Sequence, residues 1–353
     1  MYMLSFTNGI PIARIEGGEH HNKTLYIYDK NQKCCEKCSA LCDSRKRKCC
    51  KNCAGFNIKA DIPITDPINM LGEQYFRGKK KYINLIELEK LRKAITKNIE
   101  PLDNDLNIIY HGAKIDLDKK TKTELMLHDG RMIPLPYKDE EVADHVYCAG
   151  PTGSGKSTWV GNYIKEIKKM FPKKQLFIFS SFDKDKALDP YDPIRIEIND
   201  ELIETPIEKE EIADSIVVFD DIDTIKAAGK KTNRLAEACQ YLRDDLLQCG
   251  RKEHIKTMCT SHQLMNYTKT RNLLNECQKI VFFPRATSPY HNKRFLKEYC
   301  GLEAAGIKKL LKLPTRWIMI CKNFPMYAMY ESGVILLNQL DQDEKDETNS
   351  DSE

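Results

Sequence analysis

No run of about 18 apolar residues occurs anywhere in the 353-residue sequence, so no segment is expected to cross a membrane as a helix. The opening Met1-Tyr2-Met3-Leu4-Ser5-Phe6 lacks the basic-then-apolar order of a secretory leader, and the chain is expected to stay in the cytosol, a nucleus or a viral replication compartment, not to be secreted. Mean hydropathy is negative and 31% of residues are charged, which fits a soluble protein. A disulfide scaffold is also disfavoured: there are 14 cysteines, but the chain is neither small nor evidently secreted.

The length suffices for a full α/β core and one further domain, at about 150 residues per domain. The formal charge of +4 conceals an asymmetry. Residues 341–353 hold seven acids against Lys345 alone, a local charge of −6 that leaves the rest of the chain at +10. That segment has no apolar periodicity and reads as a disordered acidic tail. A basic body suits a nucleic-acid partner, and it equally suits lysines on solvated helix faces.

Two rhythms divide the chain. Up to about Tyr137, short β-like runs (Ile10 to Ile15, Thr24 to Tyr28, Leu106 to Tyr110, Glu124 to Leu127) are separated by turn residues. A helix-like stretch from Ile83 to Ile99 interrupts them. Beyond residue 140, apolar strands alternate with helices: 145–149, 156–170, 175–179, 194–198, 215–219, 233–248, 255–260, 270–277 and 279–283, with a closing hairpin at 316–330. Such alternation predicts a parallel sheet with right-handed crossovers. The expected fold class is therefore α/β, a P-loop NTPase with a mainly parallel central sheet at 141–340. A β-rich N-terminal domain at 1–140 with a zinc-binding insertion at 34–53 would precede it, and the tail at 341–353 would follow.

Gly150-Pro151-Thr152-Gly153-Ser154-Gly155-Lys156-Ser157, followed by Thr158, fits G-x-x-x-x-G-K-[ST] between a strand and a helix. Glycines let successive N–H groups cradle phosphates, and the helix N-terminus adds its positive end. Lys156 is expected to reach the β- and γ-phosphates of ATP, and Ser157 to hold Mg²⁺. Ile216-Val217-Val218-Phe219-Asp220-Asp221 delivers two carboxylates at the end of an apolar strand. Asp220 is assigned to Mg²⁺ through its water shell and Asp221 to the attacking water, although such a pair also suits a turn or cap. In Met258-Cys259-Thr260-Ser261-His262-Gln263, Gln263 or His262 could orient the water or serve a purely structural bond. Arg251 and Arg285 are candidate arginine fingers from a neighbouring subunit, or ordinary surface arginines.

The glycine loop, the Ile216 to Asp223 strand and the run from Leu247 to His262, where Gly250-Arg251 precedes a strand ending in Thr-Ser-His, together carry a resemblance. From Val146 to about Arg285 the chain resembles the genome-packaging ATPases of large nucleocytoplasmic DNA viruses, within the FtsK–HerA superfamily. The resemblance implies a homo-oligomeric ring, a hexamer, that translocates double-stranded DNA, with a capsid or portal protein as partner. It also implies residence in the host cytoplasm, a viral replication compartment or the virion. Two other readings stay open, a P-loop small-molecule phosphotransferase and a zinc-containing regulatory NTPase that switches binding with nucleotide.

Half of the cysteines fall between Cys34 and Cys53. Cys35-x₂-Cys38 and Cys50-x₂-Cys53 approach the paired-knuckle spacing of a structural Zn²⁺ site, with Cys34, Cys42 and Cys49 left over. Those three could change the choice of ligands, complete a second site with His20 or His21, or be spare. Arg45-Lys46-Arg47-Lys48 between the knuckles would suit phosphate contacts or a solvated loop.

Overall fold

The computed structural model describes residues 2–7, 9–29, 67, 70–71, 83–225, 230–266 and 269–337. The cysteine cluster with its four expected zinc ligands, the tetrabasic run and the acidic tail lie outside the described residues. The chain divides into two units, residues 1–133 with 332–339, and residues 134–331 with 340–353. Among the described residues no helix is long and apolar enough to cross a membrane.

In the first unit β1 (Tyr2–Ser5), β2 (Ile10–Glu16), β3 (Thr24–Asp29) and β5 (Arg131–Pro134) form a sheet in the order β1-β3-β2-β5. Among the described residues two helices lie between residues 83 and 124. α1 (Leu85–Lys97) starts in a reciprocal cap, Asn84 accepting from the Glu87 N–H while the Glu87 carboxylate accepts from Asn84. α2 spans Asn104–Thr123 and absorbs Leu106 to Tyr110, which the sequence pattern had suggested as a strand. The reason is tertiary. Tyr110, Ala113 and Leu117 fall on one helical face and pack with Leu91 and Ile95 of α1, and Asp103 accepts from the N–H groups of Asp105 and Leu106 to start the helix. β4 (Glu124–Met126) then pairs antiparallel with β14 (Gly333–Leu336).

Among the described residues the second unit has eight strands: β6 (Val146–Ala149), β7 (Gln175–Ser180), β8 (Ile194–Ile196), β9 (Ser215–Asp220), β10 (Lys256–Ser261), β11 (Lys279–Phe282), β12 (Ile318–Cys321) and β13 (Tyr327–Tyr330). Their order is β8-β7-β9-β10-β6-β11-β12-β13. The first six run parallel, and β12 and β13 turn back antiparallel. β6, β9 and β10 are buried along their whole length, as suits central parallel strands covered on both faces. α3 (Lys156–Met170), α4 (Lys230–Cys249) and α5 (Arg271–Glu276) connect them. α6 (Pro289–Glu298) and α7 (Ala304–Leu311), which the sequence reading did not separate, lead from β11 to β12.

At the starting edge of this sheet sits a fully buried carboxylate. Asp144, just before β6, pairs with Lys279 at the head of β11 and lies 3.5 Å from the ammonium of Lys256 at the head of β10. The Tyr163 hydroxyl of α3 approaches its two oxygens at 2.9 and 3.0 Å. Burial alone would raise this carboxyl's pKa, but Lys279, Lys256 and the donated hydrogen bonds outweigh it and hold it below the ordinary value.

Candidate active site

Register places the finishing ends of four strands on one edge. Ser261 of β10 is opposite Ala149 of β6, and Ser180 of β7 is opposite Asp220 of β9. Because β10 lies between β6 and β9, its exit residues stand between the glycine loop and the two acids.

The loop leaves β6 and enters α3 at Lys156. Gly153 and Gly155 have φ of +77° and +108°, conformations that favour glycine. Gly150 is held to glycine by space, since a β-carbon there would lie 2.6 Å from Ser154 Oγ and 2.7 Å from the Phe283 ring. The Gly150 N–H donates to the Ser261 carbonyl at 2.9 Å, and that of Ser154 to Pro151 at 3.1 Å. Among the described residues, no internal acceptor takes the N–H groups of Gly153, Gly155, Lys156, Ser157 or Thr158. Ser154 Oγ is likewise buried without a partner. Orphan donors gathered at a helix N-terminus fit a polyphosphate.

Lys156 is 7% exposed, with its ammonium 3.0 Å from the Gly150 carbonyl and 3.4 Å from Asp221 Oδ2. The same Asp221 oxygen is 3.1 Å from His262 Nε2. Asp221 adopts a left-handed conformation, φ +46°, at the entry to a 3₁₀ turn from Ile222 to Thr224. Thr260 secures that conformation. Its hydroxyl accepts from the Asp221 N–H at 2.9 Å and donates to Asp220 Oδ1 at 2.8 Å. Ser180 donates to the other Asp220 oxygen at 3.2 Å. Burial, reinforced by the charge of Asp221, raises the Asp220 carboxyl's pKa, and the Thr260 and Ser180 hydroxyls oppose that rise. A buried carboxylate at the exit of β9 and a serine hydroxyl at the second position of α3 are oxygen donors of the kind that Mg²⁺ takes. Asp220 and Ser157 are the residues that would hold it.

The structure thus brings together Lys156, Asp221 and His262, with Asp220 tied to Asp221 through Thr260, while Ser157 follows Lys156 in the first turn of α3. Gln263 is turned elsewhere: its Oε1 accepts from Asn266 at 2.9 Å, and its carbonyl accepts from the Tyr147 hydroxyl. Arg251 lies in a 3₁₀ turn, Gly250–Glu253, that precedes β10, at the opposite edge of the sheet, where it donates to the Glu141 carbonyl at 2.8 Å. Thr260 and Ser180 are hydrogen-bonding members of the site that the motif reading did not assign. Their signal is modest, a hydroxyl at the exit of an apolar strand. Among the described residues no group of His, Cys, Asp and Glu is arranged as a metal cluster of its own.

A glycine loop at the exit of a central parallel strand, with two acids at the exit of another and a polar strand end between them, defines the P-loop NTPase class. The chain belongs to the same family as the uncharacterized protein V3 of Sputnik virophage. The two share 37% identity over 216 residues, 61% of this chain and 84% of that protein. No family model matches the chain. Among solved structures it is similar to the genome packaging NTPase B204 of Sulfolobus turreted icosahedral virus 2 in complex with AMPPCP. That similarity has 14% identity and a TM-score of 0.36, covering 53% of this chain and 97% of that one. It is also similar to the cytoplasmic domain of the type VII secretion ATPase EccC of Thermomonospora curvata, at 13% identity and a TM-score of 0.35, covering 60% of this chain and 28% of that one.

Proposed function

We propose that the chain hydrolyses ATP with Mg²⁺ and uses the energy to move double-stranded DNA as a ring-forming motor of the viral packaging type. The observation that carries the reading is the convergence of Lys156, Asp221 and His262 beside a loop of unused N–H donors. Kinship with a virophage protein and the order of the motifs support the packaging context, and the basic body of the chain supports a DNA partner.

Each residue has a task in this reading. The loop N–H groups and Lys156 grip the phosphates. Bound Mg²⁺, held by Ser157 and Asp220, would neutralise phosphate charge. Lys156 now shares its ammonium between Gly150 and Asp221. A triphosphate competes for that ammonium, which frees Asp221 to orient and deprotonate the attacking water. His262, which with Gln263 was one of the two residues expected to orient the water, touches the same Asp221 oxygen and fixes its direction. A capsid or portal protein is the proposed docking partner, in the host cytoplasm, a replication compartment or the virion. Cys35, Cys38, Cys50 and Cys53 are proposed to hold a structural Zn²⁺, and metal analysis of the purified chain should find about one zinc per chain.

The test is ATP hydrolysis with and without linear double-stranded DNA over a salt series. Stimulation that fades as salt rises is expected, because each neutralised phosphate contributes about −0.9 to the log–log slope. Hydrolysis indifferent to DNA would remove the motor and leave the NTPase. Phosphate transfer to a nucleoside would move the chain to the phosphotransferases.

A further inference from the structure

Sequence reasoning sought its catalytic arginine at Arg251 or Arg285. The structure assigns that task differently. Arg316 lies two residues before Ile318, which is opposite Phe282, and Phe282 is in turn opposite Ala149. An antiparallel strand begins where its parallel neighbours end, so the approach to β12 falls on the edge that carries the glycine loop.

The backbone at this point is held firmly. The Arg316 N–H donates to Glu331 Oε2 at 2.8 Å. The Thr315 hydroxyl donates to the Trp317 carbonyl at 2.9 Å and accepts from the Glu331 N–H at 3.3 Å. Trp317 meets Trp159 of α3 edge to face, with ring centroids 6.0 Å apart. The Glu331 carboxylate is therefore engaged with the main chain and the Thr315 hydroxyl, while the exposed guanidinium of Arg316 has no ion pair or hydrogen bond among the described residues. That free guanidinium overhangs the loop: a β-carbon on Gly155 would lie 3.7 Å from Arg316 Nη2.

We propose that Arg316 is a catalytic residue of its own subunit, binding the terminal phosphoryl oxygens of the nucleotide held by the Gly150–Ser157 loop. The inference rests on the reading of this loop as an ATP site. A planar guanidinium next to five N–H groups without acceptors completes a donor set for a polyphosphate, and its fork matches two phosphoryl oxygens at once. Charge accumulates on those oxygens as the terminal bond breaks, so the arginine contributes more to turnover than to binding. Holding residues 315–317 against α3 means that the donor needs little ordering when the nucleotide arrives.

The experiment compares the full chain with Arg316→Ala, Arg316→Lys and Lys156→Ala, measuring ATP turnover and the binding of ADP and a non-hydrolysable triphosphate. Arg316→Ala should lose about 100-fold in kcat, the scale of removing one preorganised donor, with ADP affinity retained and an unchanged melting temperature. Arg316→Lys should recover part of the loss, since it keeps charge but not the fork. Mixing Arg316→Ala with Lys156→Ala subunits should restore nothing, because each active site needs both residues from one chain. Wild-type turnover in Arg316→Ala would overturn the assignment, as would recovery of activity in the mixture, which would put the arginine in a neighbour's site. If the wild type and Lys156→Ala alike bind no nucleotide, the ATP reading itself fails, and that outcome is separate from either of the others.

Discussion

Thr260→Val tests whether one hydroxyl holds the two acids in their working arrangement. Valine nearly matches threonine in volume, so the change deletes a hydrogen-bonding hub and leaves packing intact. The hydroxyl donates to buried Asp220 and accepts from the Asp221 N–H. Losing a bond to an ionised carboxylate costs about 1.5–3 kcal/mol, and leaving the Asp221 N–H unpaired costs about a further 1–3 kcal/mol. Burying one more methyl returns about 0.8 kcal/mol. A net destabilisation of about 2–5 kcal/mol follows, which for a unit of roughly 200 residues lowers the melting temperature by roughly 4–20 °C. Asp221 also loses the bond that pins its left-handed backbone, so kcat should fall at least tenfold, about 1.4 kcal/mol of barrier. A third readout concerns pH. Thr260 favours the ionised form of Asp220, whose pKa already stands above the ordinary carboxylate value through burial. Removing that donor favours the neutral acid, which cannot hold a cation, so the acid limb of Mg²⁺-dependent hydrolysis should move to higher pH. Thermal unfolding, steady-state turnover and a pH–rate profile measure the three effects. A variant with the wild-type melting temperature, kcat and acid limb would refute the hub.

Asp221→Asn should bind ATP as the wild type does yet stall in single-turnover hydrolysis, whereas Lys156→Ala should lose both, as equilibrium binding and phosphate release would report. Asp144→Asn strands Lys279 and Lys256 without their carboxylate in the interior, which should cost about 3–5 kcal/mol in urea unfolding. The same residue gives a pH signature. Its carboxyl is depressed in the folded protein, so its stabilisation is complete above the pKa of an unfolded aspartate and is lost as pH falls through the folded value. Unfolding free energies across an acid series should show that loss in the wild type and a flatter profile in Asp144→Asn.

The parts of this site that could be read in advance are those in which neighbours in sequence are also neighbours in function. Gly150 to Ser157 is one continuous loop, and Asp220-Asp221 is one strand exit, so spacing alone carried them. The strand that ends in Thr260-Ser261-His262 was recognised, but its place between β6 and β9 is a matter of topology. Only that place decides that Thr260 and His262 meet the acids while Gln263 turns toward Asn266. Arg316 was out of reach for the same reason. It lies 160 residues beyond Lys156, and only the reversal of β12 beside β11 brings it to the loop. In the first unit, Leu106 to Tyr110 was ambiguous because five residues of mixed polarity fit either period. Packing of Tyr110, Ala113 and Leu117 against α1 made it helix.

The Asp144 cluster has one more consequence, for how the chain measures length. A single carboxylate ties together the first residues of β10 and β11 and stands directly ahead of β6, so three adjacent strands share an origin. From Lys256 to Ser261 is five residue steps, about 17 Å at 3.3 Å each. From Asp144 to Ala149 is the same five steps, and Ser261 is opposite Ala149, so what β6 and β10 display at their far ends is set by counting from the shared zero mark. β11 starts opposite Val146 and reaches the same edge in three steps. Inserting or deleting one residue between mark and exit would leave most core contacts formed. It would also turn Thr260 to the opposite face of the sheet and set His262 out of step with Asp221. Changes of length in this chain should therefore collect in the loops beyond the strands, where no count is being kept.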